Sequence, residues 1–137
     1  MGVRGDGLLV GLRNGSVFGA DRATVERNTL LRRLQVRTIA VMAMTSTNPV
    51  IIAGDTNLPD PSRILAEDLR RWRDGFDAVG LGFGCTYPLG NRRPWMRIDR
   101  ILAGPGLRFV SFTTGSGHGS DHRCVWAGIE FPGAAER

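Results

Sequence analysis

The feature that most constrains the fold of this chain is a run of four apolar residues, Val-Ile-Ile-Ala at 50–53. Apolar side chains fill both faces of this run and β-branched types dominate it, which predicts a fully buried strand. A helix is predicted before the strand, from about 23 to 44, with Asp21 as a candidate N-cap. A second helix is predicted after it, from about 63 to 73, with Leu65, Leu69 and Trp72 on one side. A buried strand between two helices indicates a mixed α/β fold.

The rest of the chain adds strands rather than helices. Because helices and buried strands alternate early and strands cluster late, we expect a layered α/β arrangement. The length of 137 residues suits one domain. Glycine-rich loops are predicted after the second helix. The remaining predicted strands lie at 8–12, 97–103, 107–113 and 123–131, and a frayed tail is predicted at 132–137.

Composition bears on function more than on fold. All 18 basic residues are Arg, and the formal net charge is +5. GC-rich coding explains such a bias without any function, yet the planar guanidinium groups suit phosphate oxygens. The absence of Lys excludes a P-loop and Schiff-base catalysis. No run of about 18 apolar residues could span a membrane, and the N-terminus has no signal-peptide pattern, so the localisation stays undefined.

Two other classes of site lack their motifs. No Cys-x-x-Cys occurs, which argues against a thiolate zinc site. No Gly-x-Ser-x-Gly occurs, which argues against a serine hydrolase. Cys124 lies in an apolar run and is predicted to be a buried small side chain. A disulfide between Cys85 and Cys124 stays open.

Two polar residues directly follow the predicted buried strand. Asp55 and Asn57 come after Gly54, at the sheet edge where α/β folds place ligands. If the chain stays extended there, both side chains point to the same side. The composition Gly-Asp-Thr-Asn is also typical of a turn, and the residues alone leave both interpretations open.

A second carboxylate, Asp99, lies among apolar residues in a predicted strand. A partly buried charge needs a partner, which is either a structural Arg, such as Arg97 or Arg123, or a histidine. A glycine-rich loop ends in Asp121 and His122 just before the last predicted strand. This neighbouring pair of reactive side chains favours a functional site.

Together these residues resemble the endonuclease/exonuclease/phosphatase superfamily, whose fold is that of deoxyribonuclease I. Three motifs stand in the family's order: Gly-Asp-Thr-Asn at 54–57, Ile-Asp-Arg-Ile at 98–101 and Ser-Asp-His at 120–122. Softer matches are Asp-Gly-Phe-Asp-Ala at 74–78 and Cys-Thr-Tyr-Pro at 85–88. The resemblance implies an α/β (α+β) fold, the C-terminal half of a two-layer β-sandwich flanked by helices.

The resemblance also implies metal-dependent hydrolysis of a phosphodiester or phosphomonoester by water. Asp55 would orient and deprotonate the water, and Asn57 would donate a hydrogen bond to the nucleophile or a phosphate oxygen. Asp99 would hold His122 and favour the imidazolium beside the phosphate. Asp121 would help to hold Mg²⁺ or Mn²⁺, hard cations that prefer oxygen ligands.

The sequence departs from the family in its N-terminal part. The family's Glu metal ligand, an Asn and a second His come from the first half of a domain nearly twice this long, and nothing here matches them. The expected family domain is therefore partial, covering 1–131 with its best match at 30–131, and 132–137 is a flexible tail. Either the N-terminal half is missing because the chain is a fragment of a longer protein, or the chain has lost half of its site. Because a half-sandwich leaves a sheet face or edge uncovered, we expect it to self-associate, to need a partner or to be marginally stable.

The substrate is not determined by the sequence, and a second function stays open. Arg92, Arg93 and Trp95 could contact a nucleic-acid backbone and stack a base, which includes DNA among the candidate substrates. Trp95 could equally cover the edge of the core. In the second function the chain is a non-catalytic family member that binds phosphate or nucleic acid through Arg, with Arg97 and Arg100 adding to the attraction.

Overall fold

The computed structural model describes residues 22–88 and 93–131, and these contain three helices and five strands. The mixed architecture with small sheets confirms the predicted fold class. The strand predicted at 8–12, the cap at Asp21 and the tail at 132–137 lie outside the described residues. The elements are α1 (Arg22–Met44), β1 (Ile51–Asp55), α2 (Arg63–Asp68), β2 (Arg73–Asp74), α3 (Gly75–Val79), β3 (Asp99–Ala103), β4 (Arg108–Thr114) and β5 (Val125–Glu130).

The strands form two antiparallel sheets. In the first sheet the order is β1-β3-β2, so β3 is central. Its register places Asp55 opposite Asp99 and Asp74 opposite Leu102. The second sheet pairs β4 with β5. The two carboxylates that end β1 and begin β3 therefore face each other at one end of the first sheet.

The main core lies between α1, α2 and the first sheet. Val36 and Ala40 are four residues apart on α1, so they lie on one face of the helix and are both buried. Full burial of a large apolar side chain contributes roughly 1.5–3 kcal/mol, so this cluster anchors the strands that carry the carboxylates. The buried members are Val36, Ala40, Leu58, Ile64, Leu69, Trp72 and Leu102.

The prediction that the strand at 50–53 is fully buried is wrong. Ile52 packs against the core, but Ile51 is 42% exposed and Ala53 is also exposed. Successive side chains of a strand point to opposite faces, and only the face of Ile52 meets the core. Among the described residues, β1 pairs with β3 alone. Apolar composition on both faces thus did not require burial of both.

The second helix is shorter than predicted. It ends at Asp68 instead of about residue 73, because Leu69 leaves helical backbone with φ −116° and ψ 15°. This early end lets the chain enter β2, where Asp74 pairs with Leu102. Leu69 and Trp72 still reach the core, as their spacing indicates. The short helix α3 was not predicted, since glycine-rich composition indicated only loops there.

A cluster of buried charges ties this region together. Arg97 and Arg100 are 8% and 2% exposed, and each donates from Nη1 to Asp74 Oδ2, at 2.8 and 2.7 Å. Asp60 accepts from both guanidinium groups, and Asp77 accepts from Arg97. Burial opposes the charge of Arg97, but the surrounding carboxylates outweigh it and raise the pKa of Arg97. We refer to these five residues as the buried ion cluster, because its centre, formed by Arg97, Arg100 and Asp74, is buried, whereas Asp60 and Asp77 lie at its exposed rim.

The buried ion cluster corrects one prediction. Arg97 and Arg100 were expected to attract phosphate in a non-catalytic family member, but both are buried and paired with carboxylates. A buried guanidinium group that already has its counter-charges cannot contact a phosphate in solvent. These two arginines therefore serve the fold.

Two further expectations are settled by the described residues. Cys85 and Cys124 are free thiols, and both are partly buried, so Cys124 is less enclosed than predicted. Its Sγ lies 3.0 Å from Ser116 O. Within 22–88 and 93–131, none of the helices is long and apolar enough to cross a membrane.

Candidate active site

The pairing of β1 with β3 builds the first half of the site. Antiparallel register sets Asp55 opposite Asp99, and directly opposite side chains in such sheets lie about 4.5–5.5 Å apart at Cβ. The next residue, Thr56, anchors the end of β1, because its N–H and its hydroxyl both donate to Ile98 O, at 2.9 and 2.7 Å. Two carboxylates are therefore held close together at the end of the sheet.

The partner of Asp99 is the histidine. His122 Nδ1 lies 2.9 Å from Asp99 Oδ2, and the two side chains are 26% and 15% exposed. Arg97 is engaged in the buried ion cluster instead. A protonated Nδ1 donates to the carboxylate, which fixes the ring orientation and leaves Nε2 for another group. The backbone N–H of His122 donates to Ser120 Oγ at 3.0 Å, which supports the loop.

Asn57 meets Asp55 through a turn and not through an extended chain. β1 ends at Asp55, and Asn57 has φ +52°, a left-handed conformation that Asn tolerates better than most residues. The backbone N–H of Asn57 donates to Asp55 Oδ1 at 2.8 Å, and its Nδ2 donates to Asp55 Oδ2 at 2.8 Å. The extended-chain expectation is wrong, whereas the expected adjacency of the two side chains is observed.

Three ligand-type side chains converge here. One ligand atom from each of Asp55, Asp99 and His122 lies within 4.8 Å of the others. Although Asp55 as a whole residue is exposed, burial of its carboxyl raises the pKa of Asp55; the Asn57 N–H opposes this, and the charge of Asp99 adds to the rise. Adjacent carboxylates repel each other, so oxygen donors in this arrangement suit a hard divalent cation.

The other predicted site residues are exposed or lie outside the described residues. Asp121 is exposed and does not belong to the cluster of three ligand atoms, so its role as a metal ligand stays a prediction. Arg93 is exposed, and Trp95 is 56% exposed, which does not favour a role in covering the core. Arg92 lies outside the described residues.

Two residues at the site were not predicted from the sequence. Arg32 on α1 donates from Nη1 to Asn57 O at 2.6 Å. Burial lowers the pKa of Arg32, and the charge of Asp55 opposes that effect. Nothing local distinguishes Arg32, because α1 contains several other arginines. The second residue, Thr86, is fully buried beside β3, and the motif match at 85–88 was the only signal for it.

The assembled groups can perform acid–base and electrostatic chemistry. An amide donor bonds to a carboxylate whose pKa is raised, and an imidazole held by a second carboxylate has its ligand atom within 4.8 Å of that first carboxylate. Such a set can accept a proton from water and can donate hydrogen bonds to a developing anion. This is the chemistry that hydrolysis of an ester requires.

Comparisons with known proteins concern the family and the fold of this chain. The model of a family described as "Endonuclease/Exonuclease/phosphatase family" matches residues 3–122. A mannosyl-6-phosphatase from Bacteroides thetaiotaomicron is similar in structure, with a TM-score of 0.53 and 16% identity over 73% of this chain and 44% of that one. An endonuclease/exonuclease/phosphatase family protein from the same organism gives a TM-score of 0.52 and 17% identity over 72% and 43%.

The two solved structures share the fold of this chain over part of their length. At such identities the likeness to the solved structures shows the fold alone. The chain spans less than half the length of either solved protein. A comparison with curated proteins finds no match.

Proposed function

Because the chain belongs to the endonuclease/exonuclease/phosphatase family, we propose that it hydrolyses a phosphodiester or phosphomonoester with water as the nucleophile. The observation that supports this proposal best is the convergence of Asp55, Asp99 and His122, whose ligand atoms lie within 4.8 Å of one another. These residues come from two strands and a loop that are distant along the chain. A purely structural role would not require two carboxylates to face each other, since like charges in that position are destabilising.

Asp55 acts as the general base in this proposal. Burial raises the pKa of its carboxyl above the ordinary value, which makes the carboxylate a stronger proton acceptor. The proton of the attacking water moves to this carboxylate. Asn57 orients the base through its two hydrogen bonds. An amide NH₂ group has two donors, so the second N–H of Asn57 is available for a phosphate oxygen.

Asp99 and His122 stabilise the charge that develops on the phosphoryl group. Asp99 accepts a hydrogen bond from Nδ1 of His122 and so orients the ring. Nε2 then faces the substrate, where a ring protonated on both nitrogens donates to a phosphoryl or leaving-group oxygen. Removing one such donor typically costs about 2.7–4 kcal/mol of transition-state stabilisation.

A divalent cation fits the chemistry of the donors. The described groups are mainly carboxylate and amide oxygens, and Mg²⁺ is usually bound through one or two carboxylates together with substrate oxygens. Asp121, which precedes His122, would hold the ion with help from the carboxylates of the cluster. When bound, the ion supplies polarisation of a phosphoryl oxygen and neutralisation of negative charge.

Aromatic residues near His122 suggest a substrate that contains a ring. The Tyr87 ring lies 4.6 Å from the His122 ring, and the backbone N–H of Trp95 donates to Tyr87 O at 3.1 Å. Trp95 is exposed beside this pair, and Arg93 is also exposed. An exposed aromatic residue with a nearby cation can stack a nucleobase and contact its backbone phosphate. A nucleic acid is therefore the substrate we propose first, and a sugar phosphate, suggested by the relative that is a mannosyl-6-phosphatase, is the second.

The proposal is tested by hydrolysis assays with Mg²⁺ or Mn²⁺. The substrates are plasmid DNA, a single-stranded oligonucleotide and mannose 6-phosphate. We expect Asp55→Asn and His122→Gln each to reduce kcat by about 10²–10⁴-fold. His118→Gln is the matched control, because His118 is exposed and bonds only to Ser116 among the described contacts, and it should retain full activity.

A further variant distinguishes metal-dependent hydrolysis from non-catalytic binding of nucleic acid. Asp121→Ala should abolish the metal-dependent hydrolysis and leave salt-sensitive DNA binding intact. If the wild-type chain hydrolyses none of these substrates but binds DNA in a salt-sensitive way, the non-catalytic function replaces the hydrolase. Full activity of His122→Gln would contradict the proposed chemistry directly.

A further inference from the structure

Thr86 is the most enclosed side chain among the described residues, with 0% of its surface exposed. It lies in the segment 85–88, which we call the Thr86 turn, and none of the proposed chemistry uses it. Its hydroxyl oxygen accepts hydrogen bonds from the backbone N–H groups of Ile98 and Asp99, both at 3.3 Å. The Thr86 side chain therefore binds the backbone where β3 begins, at the residue that carries one member of the Asp99–His122 pair.

The same turn also binds the loop that carries the other member. The N–H of Arg123 donates to Thr86 O at 2.8 Å. The ring of Tyr87, the next residue of the turn, lies 4.6 Å from the His122 ring at an interplanar angle of 42°. One short segment thus contacts both sides of the hydrogen bond between Asp99 and His122.

The turn itself is fixed to the chain just before β3. Thr86 N–H and Tyr87 N–H both donate to Met96 O, at 2.8 and 3.0 Å, and Met96 N–H donates back to Tyr87 O at 2.8 Å. Met96 is buried, at 7% exposed. These backbone bonds fix the turn to a buried residue, so the turn can support the two segments that it contacts.

We infer that Thr86 is a positioning residue that keeps Asp99 and His122 within hydrogen-bonding geometry. A hydrogen bond weakens steeply as its length and angle depart from the ideal. Asp99 and His122 come from separate segments, so a small displacement of either one would break the bond. Thr86 prevents this by holding the backbone of both segments. Its effect on the rate of reaction rests on the proposed function, whereas its effect on the Asp99–His122 bond does not.

The test compares two variants of the whole chain. Thr86→Val keeps the shape of the side chain and removes the acceptor, while Thr86→Ser keeps the hydroxyl. In proton NMR spectra, an imidazole N–H bonded to a carboxylate gives a resonance far downfield, which Asp99→Asn would remove and so assign. We expect this resonance in the wild type and in Thr86→Ser, and its loss in Thr86→Val. Thr113→Val, at an exposed position on β4, is the control and should keep it.

Activity gives the second readout. We expect Thr86→Val to reduce kcat by about 10–100-fold, as is typical for groups that orient a catalytic residue, with little change in KM. If Thr86→Val folds, shown by a dispersed amide spectrum, and keeps the downfield resonance, the inference is overturned. An inactive wild type that still shows the expected NMR differences would reject the proposed function alone.

A measurement on the wild type keeps the inference testable if Thr86→Val fails to fold. The N–H groups of Asp99 and Arg123 both donate to Thr86, so both should be protected in amide hydrogen exchange. The amides of Asp99 and Arg123 should both exchange more slowly than the amide of Asp121, an exposed residue of the same loop as Arg123. Rapid exchange of either one, comparable with that of Asp121, would show that the turn does not hold the two segments.

Discussion

Replacing Asp74 by Asn would leave two buried guanidinium groups without their shared counter-charge. Asp74 is 9% exposed, and its Oδ2 accepts from Arg97 and Arg100, which are 8% and 2% exposed. Its Oδ1 accepts from Phe76 N–H at 2.9 Å and caps α3. The side-chain carbonyl of Asn can keep the cap, so the substitution Asp74→Asn removes the charge and the acceptor that the two arginines share while the cap is kept.

The expected cost follows from the exposure of the remaining partners. Removing one partner of a buried ion pair costs about 3–5 kcal/mol, because the other charge is left buried. Asp60 and Asp77 remain beside the arginines, but their side chains are 46% and 63% exposed and hold them less strongly. We therefore expect a loss near the lower limit, about 3 kcal/mol, and a fall in Tm of about 10 °C for a chain of this length. Urea denaturation at pH 7 measures the free energy of unfolding directly.

The matched control is Glu67→Gln, which removes the same charge from an exposed ion pair. Glu67 Oε2 lies 2.8 Å from Arg33 Nη2, and the glutamate side chain is 48% exposed. Exposed pairs contribute about 0–1 kcal/mol, so this variant should be close to the wild type. If the two variants lose similar amounts of stability, the argument from burial of the ion cluster is refuted.

Three other predictions concern the site and its surroundings. Because burial raises the pKa of Asp55, its carboxyl favours folding in the protonated form, and that contribution is lost as the pH rises through the folded-state pKa. Asp55→Asn should therefore raise the stability at pH 7 by less than about 1 kcal/mol, since the residue is exposed; the gain should vanish below about pH 4 in melting curves taken across pH. Gly75→Ala should cost about 1–3 kcal/mol in urea denaturation, because a Cβ there would lie 2.7 Å from ring atoms of Phe109 and of Phe112. Trp95→Ala should change stability by less than about 0.5 kcal/mol but weaken binding of single-stranded DNA by about 1–3 kcal/mol, measured by fluorescence anisotropy.

Much of the candidate site could be predicted from short segments of sequence. Asp55 and Asn57 were identified because they follow a strand directly, and Asp99 because a carboxylate among apolar neighbours needs a partner. The ends of α1 were also predicted nearly correctly, at 23–44 against Arg22–Met44. These features depend on residues that are close along the chain, where spacing and composition act directly on backbone conformation.

The early end of α2 could not be predicted in the same way. The helical pattern runs to about residue 73, yet the helix ends at Asp68. The chain leaves the helix and reaches β2, where Asp74 pairs with Leu102 and meets both arginines of the buried ion cluster. Those partners lie more than twenty residues away, so no local spacing contains their effect.

The difference between local spacing and contacts with remote segments also applies to the candidate site. The sequence by itself determined which side chains are candidates for the chemistry, because reactive groups, apolar runs and turns are properties of short segments. The residues alone left Arg97 and His122 open as partners of Asp99, and the family resemblance implied His122; the tertiary structure shows that pairing, and it alone shows the contacts of Thr86 and Arg32 at the site. Pairing and burial depend on the distance and desolvation of groups from remote segments, and those quantities exist only once the chain has folded.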